Sequence, residues 1–162
     1  MAAVDFFLEL DSVKGESQDD KFKETIQVES WSWGETNAGT GGYGGGSGAG
    51  KVQMQDMHFV TKVDKASPFL FLACATGEHF KKAKLTCRKA GKEQQPFLTI
   101  TMADILVSSY QMGGSGHSDV VPTAQFSLNF AEFHVEYKPQ KADGSLDAAI
   151  VKKYHLKQQK VL

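Results

Sequence analysis

Apolar and polar residues alternate along most of the chain, and this period of two residues predicts β-strands. Stretches that contain glycine, serine and aspartate interrupt the alternation, as turns do. The pattern predicts strands near residues 4–10, 22–34, 51–63, 80–90, 96–109, 123–138 and 150–158. The sequence therefore indicates a mainly β protein in which residues 1–162 form a single domain.

One segment, residues 67–77, predicts a short α-helix instead. Ser67 is a suitable N-cap, Pro68 suits the first helical position, and Gly77 can adopt the left-handed conformation that ends helices. The helix has apolar residues on every side, so we expect it to be covered nearly all round. Its predicted place is against the outside or the end of the sheet.

The alternation slips by one residue in four of the long predicted strands. Ile26 and Val28 share one parity, for example, whereas Trp31 and Trp33 take the other. A one-residue slip moves side chains to the opposite face of a sheet, and a β-bulge that causes it also bends the strand. The slips predict a β-barrel of two packed antiparallel sheets with bent strands. The alternative is four strands with both faces partly buried, as in an oligomer.

Composition is that of an ordinary single-domain protein. The chain has 162 residues, 41% of them hydrophobic and 23% charged, and its net charge is −1. This charge favours neither nucleic acid nor an anionic membrane. The N-terminal residues do not resemble a signal peptide, and no apolar run approaches the ~20 residues that span a bilayer. Cys74 and Cys87 are therefore expected to be free thiols of a protein folded in the cytoplasm.

Glycine is concentrated between residues 37 and 50, which hold half of the 16 glycines. The end of this segment approaches a phosphate-binding P-loop, but Val52 stands where serine or threonine is required and a strand pattern follows. Nucleotide binding is therefore not predicted. A loop of this length is long for a simple connection. We expect an extended loop that reaches a neighbouring molecule through Tyr43 and the glycines Gly44, Gly45 and Gly46.

Charges are segregated along the chain. Residues 1–35 hold nine acidic residues against three lysines, whereas residues 81–92 hold six basic residues and no acid. On a strand, Lys82, Lys84 and Arg88 share one face. The simplest interpretation is a solvated face. The functional alternative that we prefer is a charged surface that steers copies of the protein together, since the aromatic residues that would stack nucleic acid bases are missing.

No constellation of catalytic residues stands out. The five histidines lack the spacing of metal ligands, and no nucleophile elbow is present. The tryptophans of Trp31-Ser-Trp33 are interpreted as core residues. Ser30 and Ser32 lie on the opposite face, which is small and polar and suits the lining of a channel. The sequence thus predicts no enzyme, no cofactor and no metal.

Several segments together resemble the Hcp family, the tube protein of the bacterial type VI secretion system. The collinear match runs from residue 4 to about 145. It includes residues 11–17 (DSVKGES), 31–34 (WSWG), 64–68 (DKASP), 73–77 (ACATG), 84–91 (KLTCRKAG), 107–109 (VSS), 113–116 (GGSG), 128–131 (LNFA) and 137–144 (YKPQKADG).

The resemblance implies a β-barrel of two sheets with one flanking helix and a six-membered ring with an open lumen. It implies that rings stack into a tube, surrounded by a contractile sheath on a baseplate and tipped by a VgrG spike. It also implies that the protein is secreted without a signal peptide and holds effectors in the lumen. On this model Ser30 and Ser32 line the lumen, and Tyr43 and its neighbouring glycines mediate ring stacking.

Three other classes remain open at this point. A monomeric barrel with a small ligand inside would have an apolar cavity. An enzyme would need a spatial cluster of residues that the sequence does not reveal. A nucleic-acid-binding barrel is disfavoured by the net charge.

Overall fold

The computed structural model describes residues 4–39, 49–90, 93–117 and 121–162. In these residues the chain forms β1 (Val4–Leu10), β2 (Ile26–Ser32), β3 (Glu35–Gly39), β4 (Ala49–Met54), β5 (Met57–Lys62), α1 (Ser67–Thr76), β6 (His79–Lys89), β7 (Pro96–Gly113), β8 (Thr123–Asn129), β9 (Glu132–Tyr137), β10 (Ile150–His155) and β11 (Lys160–Val161).

Six antiparallel strands close into a barrel in the order β7-β6-β1-β2-β5-β8, because β8 also pairs with β7. The 18-residue β7 makes this closure possible. Along one edge it pairs with β6, and along the other it pairs first with β9 and then with β8. Strands β9, β10 and β11 extend the sheet outside the barrel, and β3 and β4 form a separate hairpin. The predicted β-barrel with one short helix is confirmed.

The four phase slips have three different structural causes. In β2 a bulge lies between Val28 and Ser30, and in β7 Asp104 has a positive φ of 58° within a continuous strand. The predicted strands 51–63 and 123–138 are each two strands, interrupted after Met54 and after Asn129. The segment predicted as strand from residue 22 begins as a turn instead, in which the Thr25 amide donates to the Phe22 carbonyl oxygen.

Large side chains fill the interior of the barrel. Met57 and Phe59 of β5 meet Phe126 and Leu128 of β8, and all four are at most 1% exposed. The rings of Phe59 and Phe126 stack with their centroids 5.2 Å apart. Because these side chains occupy the interior, the barrel does not match the class of monomeric barrels that enclose a ligand cavity.

Helix α1 crosses from β5 to β6 and packs against β7. Gly77 has a φ of 73°, and its amide donates to the carbonyl oxygen of Ala73, as the sequence predicted for the helix end. The predicted role of Ser67 as N-cap is wrong. Ala66 occupies that position, whereas the hydroxyl of Ser67 accepts a hydrogen bond of 3.0 Å from the Asp64 amide and thereby supports the turn before the helix.

Candidate assembly surfaces

Polar side chains cover the outer face of four neighbouring barrel strands, β2, β5, β8 and β7. In one row across the strands, Ser32 lies opposite His58, His58 opposite Ser127, and Ser127 opposite Ser109. The next row holds Ser30, Val60, Gln125 and Gln111 in the same strand order. We call these two rows the polar sheet face.

The bulge in β2 explains why Ser30 and Ser32 lie on this outer face. Before the bulge Ile26 and Val28 point inward, and after it Trp31 does so, because the extra residue shifts the parity of the strand. Trp31 makes an edge-to-face contact with Phe6, with a centroid distance of 6.2 Å. The serines are exposed, on the face opposite the tryptophan, as the sequence predicted.

Hydroxyl groups within the polar sheet face are close enough to share hydrogen bonds. The Oγ of Ser127 lies 2.7 Å from that of Ser108 and 2.5 Å from that of Ser109. Ser108 and Ser109 both reach Ser127 because a second bulge interrupts the pairing of β7 with β8 between Val107 and Ser109. The result is a surface made mainly of hydroxyl and amide side chains, with His58 and Val60 among them.

Helix α1 has one buried and one exposed face. Ser67, Leu70 and Ala73 are buried, whereas Phe69 and Leu72 are 61% and 60% exposed. The expectation that the helix is covered nearly all round is therefore wrong for the single subunit. The physical reason is that a ten-residue helix placed on a closed barrel reaches the core along one side.

A second apolar region, in addition to the exposed face of helix α1, lies beside the strands outside the barrel. A groove of about 920 Å³ lies between the β3–β4 hairpin and strands β9 to β11. Its apolar lining is formed by Val52, Phe133, Val151, Tyr154, Val161 and Leu162. We call it the terminal groove. The terminal groove could not be predicted from the sequence, because its walls come from strands that are distant along the chain.

The predicted charged surface on β6 holds only in part. Lys82 is exposed and Lys84 half-buried, on the outer face opposite the buried Ala83 and Leu85, and both lysines line a groove of about 470 Å³. The expectation that Arg88 is exposed beside them is wrong, since its side chain is 1% exposed. The segment 14–25 packs over this end of the outer face and covers it.

Arg88 is held by two carboxylates and two aromatic rings. Its Nη1 and Nη2 donate to both oxygens of Asp19, at 2.9 and 2.6 Å, and Nη2 also donates to Asp5 at 3.2 Å. The guanidinium carbon lies 4.9 Å from the ring centroid of Phe7 and 5.3 Å from that of Phe22. The hydrogen bonds from Arg88 lower the pKa of Asp19 from 3.8 to about 2. The pairing of Asp19 with Arg88 could not be predicted from the sequence, because 69 residues separate the two.

Pairing of β1 with β6 brings the acidic and basic parts of the chain together inside one subunit. The register places Asp5 opposite Arg88 and Glu9 opposite Lys84. The basic segment and part of the acidic segment are therefore neighbours, not two opposite faces. This arrangement removes part of the long-range charge separation on which the steering hypothesis depends. The assembly role of Lys82 and Lys84 stays a prediction.

The residues predicted to mediate ring stacking lie outside the described residues. They are Tyr43, Gly44, Gly45 and Gly46. The β3–β4 hairpin that leads to them is described. It continues the chain from β2 and returns it to β5, and the Gln55 amide donates to the Gly34 carbonyl oxygen at its base. The hairpin thus projects from the strands that carry the polar sheet face.

Neither thiol nor metal chemistry is evident in the described ranges. No group of three or more histidine, cysteine, aspartate or glutamate residues is placed to hold a metal ion there. Burial raises the pKa of the Cys87 thiol to about 11, so it stays protonated at neutral pH. Within the same ranges, no helix has the length and apolar character needed to cross a membrane.

A closed barrel with a filled interior, a polar face and two apolar surfaces defines a class of structural subunit that works through its surfaces. A family model described as "Type VI secretion system effector, Hcp" matches residues 7–137. Over 151 residues the chain is 51% identical to Protein hcp1 of Pseudomonas aeruginosa, with 93% of each chain covered.

Solved structures agree with this sequence match. A structure described as a type six secretion system protein superimposes with a TM-score of 0.93 at 30% identity, with 99% of this chain and all of the other covered. Hcp1 from Salmonella typhimurium superimposes with a TM-score of 0.80, also at 30% identity and with the same coverage.

The chain belongs to the Hcp family, the secreted tube subunits and effector carriers of the type VI secretion system. The family is structural and not enzymatic, which confirms the prediction that the chain is not an enzyme. The predicted resemblance is confirmed at the level of family, fold and tube-subunit function.

Proposed function

We propose that the chain assembles into six-membered rings that stack into a hollow tube, with the polar sheet face lining the lumen. The observation that carries this proposal is the pair of rows that cross β2, β5, β8 and β7, in which seven of the eight residues are polar and Val60 is the exception. A channel wall that passes folded cargo should be polar and smooth, and small hydroxyl side chains meet both requirements. Ser30 and Ser32 are then lumen residues.

Two further surfaces complete the proposed tube. Tyr43 and Gly44 to Gly46, which follow β3 in the sequence, are the proposed contact with the next ring. Lys82 and Lys84 add an electrostatic contribution to contacts between rings, whereas Arg88 takes no part because it is buried and paired. The proposed partners beyond the chain itself are a VgrG spike, the contractile sheath and baseplate, and effectors held in the lumen. The protein stays in the cytoplasm until it assembles and is then secreted.

The native mass tests the ring. Light scattering on a sizing column should give a six-fold multiple of the 17.7 kDa subunit at low and high salt. Larger stacked species should decline in high salt, because salt screens contacts between exposed charges. A Lys82→Glu, Lys84→Glu variant should keep the ring and lose stacked species. A monomer at every protein concentration would contradict the ring, and unchanged stacking in the variant would contradict the role of the lysines.

Cargo retention tests the lumen assignment. Ser32→Gln enlarges a side chain on β2, the first strand of the polar sheet face, so it should preserve ring mass and abolish retention of a small co-expressed effector. Ser115→Gln is the matched control, since Ser115 is exposed but lies in the turn after β7. Retention that survives Ser32→Gln, or is lost equally in the control, would place the cargo elsewhere.

A further inference from the structure

In the part of the chain that the structure describes, exposed large hydrophobic side chains fall into two groups. The first lies on helix α1, near the end of β7 and just before β8, and the second lies on strands β9 to β11 and the residue that follows them. The first group consists of Phe69, Phe71, Leu72, Met112 and Val121, and the second of Tyr137, Ile150, Val151, Val161 and Leu162. We call them the helix group and the terminal-sheet group.

The helix group is unusual because no charged residue accompanies it on the helix. The helix contains no charged residue, and its mean apolar character is high on all sides. Phe71 makes an edge-to-face contact with Tyr110, at a centroid distance of 5.6 Å, but remains 52% exposed. A helix of this composition is normally buried all round. The described residues of the single subunit therefore leave one side of the helix without cover.

The terminal-sheet group offers a concave surface of matching character. Three of its members, Val151, Val161 and Leu162, line the terminal groove together with Val52, Phe133 and Tyr154. Val161 is 76% exposed, the highest value in either group. An apolar helix face laid into an apolar groove is a recurrent mode of protein recognition.

Ring closure requires two different surfaces on each subunit, because every copy contacts one neighbour through the first and the other neighbour through the second. The exposed apolar side chains are divided into two such surfaces. We propose that the helix group of one copy docks into the terminal groove of the next and that this contact closes the ring. The inference rests on the proposed function and names the contact on which the ring depends.

The available area is adequate for this role. A covered aromatic side chain buries about 150–250 Å², so the exposed parts of Phe69 and Phe71 alone offer on the order of 200 Å². A standard interface buries about 800 Å² on each partner, and somewhat more than half of it is apolar. Together with the exposed Leu72 of the same helix, Phe69 and Phe71 supply much of the apolar area that one partner needs.

Charge gives the contact an orientation. Helix α1 has no basic residue in its last turn, and the exposed Glu78 follows it, so this end of the helix carries negative charge. The terminal groove carries the exposed Lys152 and Lys153. The helix therefore enters the groove with its C-terminal end directed at these lysines.

Crosslinking between two differently labelled proteins tests the contact. The parent protein is the full chain with Cys74→Ala, which leaves the unreactive Cys87. One variant adds Leu72→Cys on the helix group, and the other adds Val161→Cys in the groove. Mixing the two with a short thiol-reactive crosslinker should give linked pairs, whereas each variant alone should not. Placing both cysteines in one chain should give a ladder of up to six chains on a denaturing gel.

Native mass and thermal unfolding separate assembly from folding. Phe69→Ser with Leu72→Ser should convert rings to monomers with an unchanged monomer unfolding temperature, since both side chains are exposed in the subunit. Ala75→Ser, at an exposed small residue of the same helix, is the control and should keep the ring. The proposed contact is overturned if the double variant forms rings normally. It is also overturned if the two cysteine variants form rings but give no mixed crosslink. Either result leaves the proposed function intact. A parent protein that never forms rings overturns both.

Discussion

Arg88 and helix α1 reverse the usual distribution of charged and apolar groups. The side chain of Arg88 is 1% exposed, whereas Phe69 and Leu72 of the helix are 61% and 60% exposed. The two regions differ in where their partners come from. Arg88 finds Asp5, Asp19 and two aromatic rings in its own subunit. Among the described residues, the outer face of the helix finds no such cover.

This difference separates the interactions that stabilise the subunit from those available for assembly. A buried ion that is paired with carboxylates contributes to one defined conformation, and removing its partner is costly. An exposed apolar face contributes little to the stability of the isolated subunit, because it is in water both before and after folding. Substitutions in the two regions should therefore affect different measurements.

The largest expected effect comes from Arg88→Met. The substitution leaves Asp5 and Asp19 without their cation, and breaking a buried pair in this way costs about 3–5 kcal/mol. The free energy of unfolding in urea should fall by that amount. Lys82→Met on the same strand is the control and should change the value by no more than about 0.5 kcal/mol, as is typical of surface sites. Equal losses in both variants would contradict the special position of Arg88.

The same substitution, leucine to alanine, can be compared on the buried and the exposed face of helix α1. Leu70 is 2% exposed, so Leu70→Ala should lower the free energy of unfolding by about 2–5 kcal/mol through lost burial and a residual cavity. Leu72→Ala, two residues further along the chain, should cost less than about 1 kcal/mol in the monomer. Chemical denaturation of both variants under conditions that keep the protein monomeric measures the contrast. A large loss for Leu72→Ala would mean that its face is covered within the subunit.

A smaller loss in the free energy of unfolding is expected at acidic pH. Because the folded-state pKa of Asp19 is lowered to about 2, its contribution is complete above the ordinary value of 3.8 and is lost as the pH falls through 2. One pKa unit corresponds to about 1.4 kcal/mol, so the loss should be about 2 kcal/mol. Unfolding curves at pH 5, 3 and 2 measure it. Asp19→Asn should flatten this dependence, Asp20→Asn should not, and parallel curves for all three proteins would contradict the assignment.

Local pattern predicted much of the fold. Alternation located the strands, and the parity change at Trp31 predicted both the bulge in β2 and the outward position of Ser30 and Ser32. Gly77 marked the end of the helix correctly. These features depend on residues within a few positions of one another, where backbone geometry is determined by neighbouring side chains.

Other features escaped prediction because they depend on distant residues. Alternation placed Arg88 on the outer face of β6, which is correct, but it could not indicate that residues 14–25 cover that face. The contrast between acidic and basic segments suggested separated charges, yet the register of β1 and β6 makes them neighbours. The exposed side of helix α1 was missed for the same reason, since the helix composition does not reveal which of its sides the barrel covers.

The sequence by itself determined the β class, the positions of most strands, the helix and its end, and the family. These are consequences of short-range periodicity and of motifs that occur in a recognisable order. The tertiary structure alone decided that Arg88 is buried against Asp19, that four strands align their small polar side chains into one face, and that two apolar surfaces remain uncovered. Each of these depends on which strands become neighbours when the barrel closes, and closure brings together residues that are far apart along the chain.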